Sequence, residues 1–124
     1  MDVKSGLWAS FGHALAGIAA ATATQRNMKI HWAAAVAAVG LGAWLGLSSG
    51  EWAAVILAIA AVMAGECMNT ALEAVVDLAS PQWHPLAKRA KDCAAGAVLL
   101  CALGALATGL VIFLPKLAAK FAGS

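Results

Sequence analysis

Four polar side chains share one stripe of an otherwise apolar segment, residues 66–77, which reads ECMNTALEAVVD. At about 100° per helical residue, they fall within an arc of about 80°. They are Glu66, Asn69, Glu73 and Asp77. An ionisable side chain at membrane depth is costly, so it marks a candidate functional site. The stripe therefore predicts chemistry inside a membrane.

The spacing within the stripe indicates two separate tasks. Glu66 and Glu73 are two helical turns apart, about 10 Å in axial rise. The deeper Glu66 could act as a general base, and the shallower Glu73 could hold Mg²⁺ through oxygen ligation. Asn69 between them could position a substrate hydroxyl. The alternative is a polar seam that joins helices, but three acids with few intramembrane cations to pair them fit a seam poorly.

A second polar cluster follows at Lys88, Arg89, Lys91 and Asp92. Cations at the start of a helix fit phosphate binding, with Asp92 steering a metal or orienting Lys91. The alternative is that these cations only set the orientation of the chain in the membrane and contact lipid headgroups. The sequence leaves both interpretations open.

The remaining polar residues carry weaker signals. His84, in a connector, could contact a ligand or be a solvated loop group. His31 lies near an expected membrane interface and could simply reach toward it, and His13 lies on the polar side of an N-terminal helix. The histidines and cysteines have no zinc-type spacing, and no phosphate-binding glycine loop of the Walker type is present.

The composition places these residues in a membrane. The chain has 124 residues, of which 63% are hydrophobic and 11% charged, against about 25% charged in a soluble domain. Its length indicates a single domain over residues 1–124. The formal charge of +2 is too small to suggest a nucleic-acid partner. Cys67, Cys93 and Cys101 are predicted to be buried apolar filler.

Hydropathy predicts an all-α integral membrane protein with three spans and a surface helix. Each apolar run approaches the roughly 20 residues that a helix needs to cross a bilayer. The spans are expected at about 29–48, 52–78 and 88–114. Residues 5–24 carry apolar side chains at helical spacing and are expected to lie on the membrane surface. A signal peptide is the alternative for this N-terminal segment.

Basic residues predict the orientation of the chain. Six of the eight fall on one side of the predicted spans, and two follow the third span. Cytoplasmic loops carry the excess of Lys and Arg, so the N-terminus and the 79–92 segment are expected in the cytoplasm. The acidic stripe then faces cytosolic metabolites.

Two motifs resemble those of a known family. Residues 66–77 resemble the signature E-x-x-N-[ST]-A-[IL]-E-x-V-V-D of the prokaryotic diacylglycerol kinase and undecaprenol kinase family. Residues 87–99, AKRAKDCAAGAVL, resemble its second signature, A-K-x-A-K-D-x-A-A-G-A-V-L. The resemblance extends from about residue 5 to about residue 115. It implies a homotrimeric bundle in the bacterial inner membrane, with active sites shared between subunits, that transfers the γ-phosphate of ATP to a lipid alcohol with Mg²⁺.

The resemblance also implies residue roles. Glu66 matches the catalytic base, which meets the lipid hydroxyl, Asn69 an active-site polar group, and Glu73 a ligand of metal and ATP phosphate. Other positions match nucleotide contacts, namely His13, Gln82, Trp83, His84, Lys91 and Asp92. Ala95 matches a lipid contact.

One position departs from the family pattern. The family usually has a glutamate before the first span as a second metal ligand, and Gln25 occupies that position here. A glutamine carbonyl can bind Mg²⁺, and through the ion the ATP phosphates, but it lacks the negative charge of a glutamate. Weaker metal binding is therefore expected. The patterns around Arg26–His31 and Ser80–Ala87 look more like the undecaprenol kinase branch, so undecaprenol is the favoured substrate and diacylglycerol the alternative.

Two further classes of protein compete with a lipid kinase. A small proton-coupled transporter would let Glu66 bind a proton and a cation in turn. It needs access from both sides of the membrane, however, and Trp52–Gly65 contains no polar side chain. A structural assembly protein would tolerate glutamine at both Glu66 and Glu73.

Overall fold

The computed structural model describes residues 6–123 and contains four helices in that range. They are α1 (Leu7–Thr24), α2 (Arg26–Leu45), α3 (Ser49–Ala79) and α4 (Pro85–Ala122). The last three are long and apolar enough to cross a membrane. The all-helical fold is thereby confirmed, as is the number of helices with the length and composition to cross a membrane. The predicted surface helix corresponds to α1, while the first residues of its predicted range lie outside the described part.

A single residue separates α1 from α2. Gln25 is extended, with φ −108° and ψ 117°. Its backbone N–H still donates to the Ala21 carbonyl, 2.9 Å away. Both Ala21 and Met28 are buried where the two helices meet. The chain therefore changes direction at Gln25 and turns the side chain of this residue toward the bundle.

The turn between α2 and α3 is short. Gly46 has φ 74°, the left-handed conformation that favours glycine, and its N–H donates to the Gly42 carbonyl. Ser48 then caps α3, because its Oγ accepts from the Glu51 N–H while the Glu51 carboxylate accepts from the Ser48 N–H. This capping box begins α3 at Ser49, slightly before the predicted span.

The α3 and α4 helices form the most extensive contact of the bundle. The segment between them contains Pro81 and Pro85, and α4 begins at Pro85, a position where proline is well tolerated. The α4 helix continues through Pro115 to Ala122, well past the predicted end of the third span. Helices in membranes tolerate an internal proline when neighbouring groups bind the freed carbonyl.

Most large apolar side chains lie on the outside of the single chain. Leu99, Leu103, Leu106 and Leu110 on α4 are all exposed, as expected of a surface that faces lipid rather than water. The prediction of buried cysteines is wrong, because Cys93 is exposed and Cys67 and Cys101 are only partly buried. Three long helices leave little interior, so moderately apolar residues remain outside. All three thiols are free.

Candidate active site

The acidic stripe of α3 runs from a buried end to an exposed end. The Glu66 residue is 1% exposed and Asn69 is 9% exposed. Glu73 is partly buried, and Asp77 is exposed. The order of burial follows the prediction that Glu66 is the deep acid and Glu73 the shallow one.

The Glu73 carboxylate lies between two amides. Asn69 Nδ2 donates to Glu73 Oε1 over 3.2 Å, one turn earlier on the same helix. Gln25 Nε2 donates to Glu73 Oε2 over 3.3 Å, from the break between α1 and α2. The residue expected opposite Glu73 is therefore in place, although it presents its amide nitrogen rather than its carbonyl oxygen.

Asn69 has one unused polar atom. Its Oδ1 is buried and has no hydrogen-bond partner among the described residues. An unpaired buried acceptor costs about 1–3 kcal/mol. Such an atom in a site of this kind is suited to accept a hydrogen bond from a ligand.

Glu66 is held from the neighbouring helix by a residue that the sequence interpretation missed. His31 Nε2 lies 3.2 Å from Glu66 Oε1. His31 is in the second turn of α2 and is partly exposed. The only signal in the sequence was a single polar side chain at the start of an apolar run, which does not identify a partner on another helix.

Two cations near the start of α4 are already paired. Lys91 Nζ lies 2.6 Å from Asp77 Oδ1, and Lys88 Nζ lies 2.6 Å from Asp92 Oδ2. Asp92 therefore pairs with Lys88, and the expectation that it orients Lys91 is wrong. The reason is helical spacing, because residues four apart face each other. Both pairs are exposed, and such pairs contribute little stability, so either cation can exchange its partner for a phosphate at small cost.

Several predicted contacts lie outside this cluster. His13 is exposed on α1, Ala95 is exposed on α4, and Gln82 and Trp83 are exposed in the connector. His84 caps α4, since its Nδ1 accepts from the Leu86 N–H over 3.1 Å. None of these five residues is hydrogen-bonded to the side chain of Glu66 or Glu73.

An apolar groove of about 510 Å³ runs between α2, α3 and α4. Its walls include Ala34 and Leu41 of α2, Val62 of α3, and Leu110 of α4. His31 lines one end. Thr108 also lines the groove, and its hydroxyl is bonded to the Gly104 carbonyl. The groove offers space for a hydrocarbon chain and leads to the residue that holds Glu66.

The donor set fits a hard cation better than a transition metal. Within residues 6–123, no three His, Cys, Asp or Glu residues are grouped as a metal cluster would require. Mg²⁺ commonly binds through one or two protein oxygens, with substrate phosphates and water completing the shell. The Glu73 carboxylate is compatible with that mode, and a flip of the Gln25 amide would place a carbonyl oxygen beside it.

These features define a membrane-embedded protein with a carboxylate site at one end of an apolar groove. The sequence model of the prokaryotic diacylglycerol kinase family matches residues 12–113, and the chain belongs to this family.

Curated relatives cover most of its length. An undecaprenol kinase of Bacillus subtilis is 47% identical over 87% of this chain and 88% of its own. A diacylglycerol kinase of Synechocystis is also 47% identical, over 94% of this chain and 67% of its own. A diacylglycerol kinase of Escherichia coli K12 is 31% identical over 82% of this chain and 83% of its own. Relatives of equal identity thus carry different substrates in their names.

Proposed function

We propose that the protein is an ATP-dependent lipid kinase that phosphorylates a membrane alcohol, with undecaprenol as the favoured substrate. One observation carries the proposal: a buried carboxylate, Glu66, is held by His31 at the end of an apolar groove. A lipid in the groove would bring its hydroxyl to this carboxylate. The names of the relatives support the same chemistry.

In the proposed reaction, Glu66 removes the proton of the lipid hydroxyl, and the hydroxyl oxygen attacks the γ-phosphorus of ATP. A bond forms between this oxygen and phosphorus, and the bond from phosphorus to the β,γ-bridging oxygen breaks, so that ADP leaves. Asn69 Nδ2, which already donates one hydrogen to Glu73, would donate its second hydrogen to the hydroxyl oxygen, so that the single hydroxyl hydrogen points to Glu66. Catalysis of this type depends on positioning and electrostatics.

Glu73 and Gln25 are the residues that would hold Mg²⁺. When bound, the ion would offset the negative charge of the phosphate oxygens. In the structure, Gln25 donates an amide hydrogen to Glu73. Its side-chain amide would therefore have to flip to present the carbonyl oxygen to the ion. Lys91 would leave Asp77 to bind a phosphate, and Asp92, His13 and the connector residues Gln82, Trp83 and His84 would complete the nucleotide contacts.

The choice of undecaprenol rests on sequence patterns and on one relative. The resemblance around Arg26–His31 and Ser80–Ala87 favours the undecaprenol kinase branch, and the Bacillus subtilis relative of that name covers most of the chain. Diacylglycerol is the alternative, supported by the name of the Synechocystis relative. Ala95 would lie against the lipid in either case.

We further propose the assembly and orientation that the family resemblance implies. The chain would form a homotrimer in the bacterial inner membrane, with the N-terminus in the cytoplasm and α1 on the membrane surface. The scattered positions of His13, Ala95 and the connector support a site that is completed by a neighbouring subunit. A proton-coupled transporter is a poorer fit, because the groove walls beyond His31 provide no chain of polar groups.

The test uses purified protein in mixed micelles with Mg²⁺ and γ-labelled ATP, offering undecaprenol and diacylglycerol side by side. We expect label in undecaprenol. We expect Glu66→Gln to abolish transfer, because the proton acceptor is lost, and to leave the size of the assembly unchanged. Glu51→Gln, the same chemical change at the other end of α3, is the matched control and should stay active. Label in neither lipid would overturn the kinase, and a Glu66→Gln variant with most of its turnover would overturn the base assignment.

A further inference from the structure

His31 contacts both the apolar groove and the Glu66 carboxylate. Its Nε2 is 3.2 Å from Glu66 Oε1, and its ring lines the end of the apolar groove. Glu66 itself does not line the groove and is 1% exposed. The imidazole, 19% exposed, therefore lies against both the space suited to a hydrocarbon chain and the buried carboxylate.

The neighbouring hydrogen-bond donors on α3 and α4 are bonded to groups other than the Glu66 carboxylate. Thr70 Oγ1 donates to the backbone carbonyl of Glu66 and not to its carboxylate, and Asn69 Nδ2 donates to Glu73. Lys91 of α4 is paired with Asp77. Among residues 6–123, the side chain bonded to the Glu66 carboxylate is that of His31. A buried carboxylate without such a partner would be strongly disfavoured.

We infer that His31 is a positioning residue for the phosphate transfer, an inference that rests on the proposed function. The tautomer with its hydrogen on Nε2 donates to Glu66 Oε1 and fixes the rotation of the carboxylate. The second oxygen, Oε2, is then directed to the hydroxyl of a lipid alcohol whose chain occupies the groove. His31 does not take part in bond making, and it acts through the orientation of Glu66.

This role has a kinetic signature that differs from that of a binding residue. Glu66 acts on the substrate proton in the transition state, so a misplaced carboxylate lowers kcat rather than the affinity for ATP. A displacement of about 1 Å at a reacting group can cost about 100-fold in rate. A residue that only filled space at the groove end would instead change the KM for the lipid.

Two amide substitutions distinguish the effect of a donor placed at Glu66 from the effect of a polar side chain at position 31. In His31→Gln, the side-chain amide nitrogen lies near the position of Nε2 and can still donate to Glu66. In His31→Asn, the amide is one bond too short to reach Glu66, although the side chain is equally polar. Val36→Leu, on the same helix but outside the groove lining, is the matched control.

The experiment measures kcat and the KM values for ATP and lipid alcohol in mixed micelles, with thermal unfolding of each variant as a check on folding. We expect His31→Asn to lose about 100-fold in kcat at an unchanged KM for ATP. His31→Gln should recover most of the kcat, and Val36→Leu should match the unmodified protein.

The outcomes separate this inference from the proposed function. If the unmodified protein transfers phosphate and His31→Asn keeps its full kcat, positioning by His31 is wrong while the kinase stands. Equal loss in His31→Asn and His31→Gln, or a change confined to the KM for the lipid, also overturns the inference. An unmodified protein that labels no lipid removes the kinase and this role together.

Discussion

At the scale of single residues, the site depends on Glu73, where two parts of the chain meet. Its carboxylate receives one amide from the same helix, Asn69, and one from the helix break, Gln25. Two neutral donors hold a negative charge without neutralising it. The carboxylate therefore remains available to a cation, and the strength of that binding depends on what occupies position 25.

Gln25→Glu is expected to lower the Mg²⁺ concentration needed for half-maximal activity. Two carboxylates would lie where the amide and Glu73 are now 3.3 Å apart, and like charges at such a distance favour a bound cation. The measurement is a Mg²⁺ titration of kinase activity at saturating ATP.

Thr24→Val is the matched control for this titration. Its hydroxyl is bonded to the Ala20 carbonyl within α1, so the substitution alters the neighbouring position without adding charge at the site. An unchanged titration curve for Gln25→Glu would mean that residue 25 is not a metal ligand.

Sequence reasoning proposed Glu66, Asn69, Glu73 and Gln25 as one site; in the structure hydrogen bonds join Gln25 and Asn69 to Glu73, while Glu66, two turns away on α3, is bonded to His31. Helical periodicity was sufficient for the three on α3, because a fixed rotation per residue determines which side chains share a face. The same periodicity could also have identified the pairing of Lys88 with Asp92, since residues four apart on a helix face each other. It could not identify the contact of His31 with Glu66, because a contact between two helices depends on their register.

At the scale of elements, the ends of the helices decide where side chains point. The break at Gln25 turns one amide toward α3, and the His84 cap starts α4 so that its lysines lie beside the exposed end of the stripe. The start of α3 could have been predicted more closely. Ser48 and Glu51 form the S-x-x-E pattern of a capping box, which marks a helix start at Ser49, whereas the predicted span was placed by hydropathy alone.

Ser48→Ala is expected to destabilise the protein by about 1 kcal/mol, because the Glu51 N–H loses its acceptor. The Glu51 carboxylate also lies 3.1 Å from Lys116 Nζ, so the cap is joined to α4. The measurement is equilibrium unfolding in mixed micelles of increasing denaturing detergent.

Ser49→Ala, one residue further along, is the control and should be close to neutral, since the cap is made by the Ser48 side chain. If both variants lose the same stability, the capping box does not anchor α3.

At the scale of the whole molecule, the bundle has a wide apolar groove and a small interior. Composition and run lengths predicted the all-helical membrane class and the number of spans, because hydrophobic thickness fixes helix length. They could not predict the groove, which exists because small side chains of all three spans face one another. Ala35, Ala58 and Ala105 are examples.

Ala38→Phe should obstruct this groove. Ala38 lines it, and an added ring in a confined apolar space costs about 1–3 kcal/mol. We therefore expect the KM for the lipid alcohol to rise by about 10- to 100-fold, with the KM for ATP unchanged.

Ala33→Phe provides the comparison, since Ala33 is exposed on the same helix and does not line the groove. Equal lipid KM values for the two variants would show that the lipid does not occupy this space.

The short connection between α2 and α3 fixes the axial position of His31 relative to Glu66. From His31 to the end of α2 the chain rises about 21 Å, and from the start of α3 to Glu66 it rises about 26 Å. Only Gly46, Leu47 and Ser48 separate the two helices. A longer connection would leave the two helices free to slide, and His31 would have no fixed neighbour. The alignment of the reacting carboxylate at one end of the bundle is thus set by three residues at the other end.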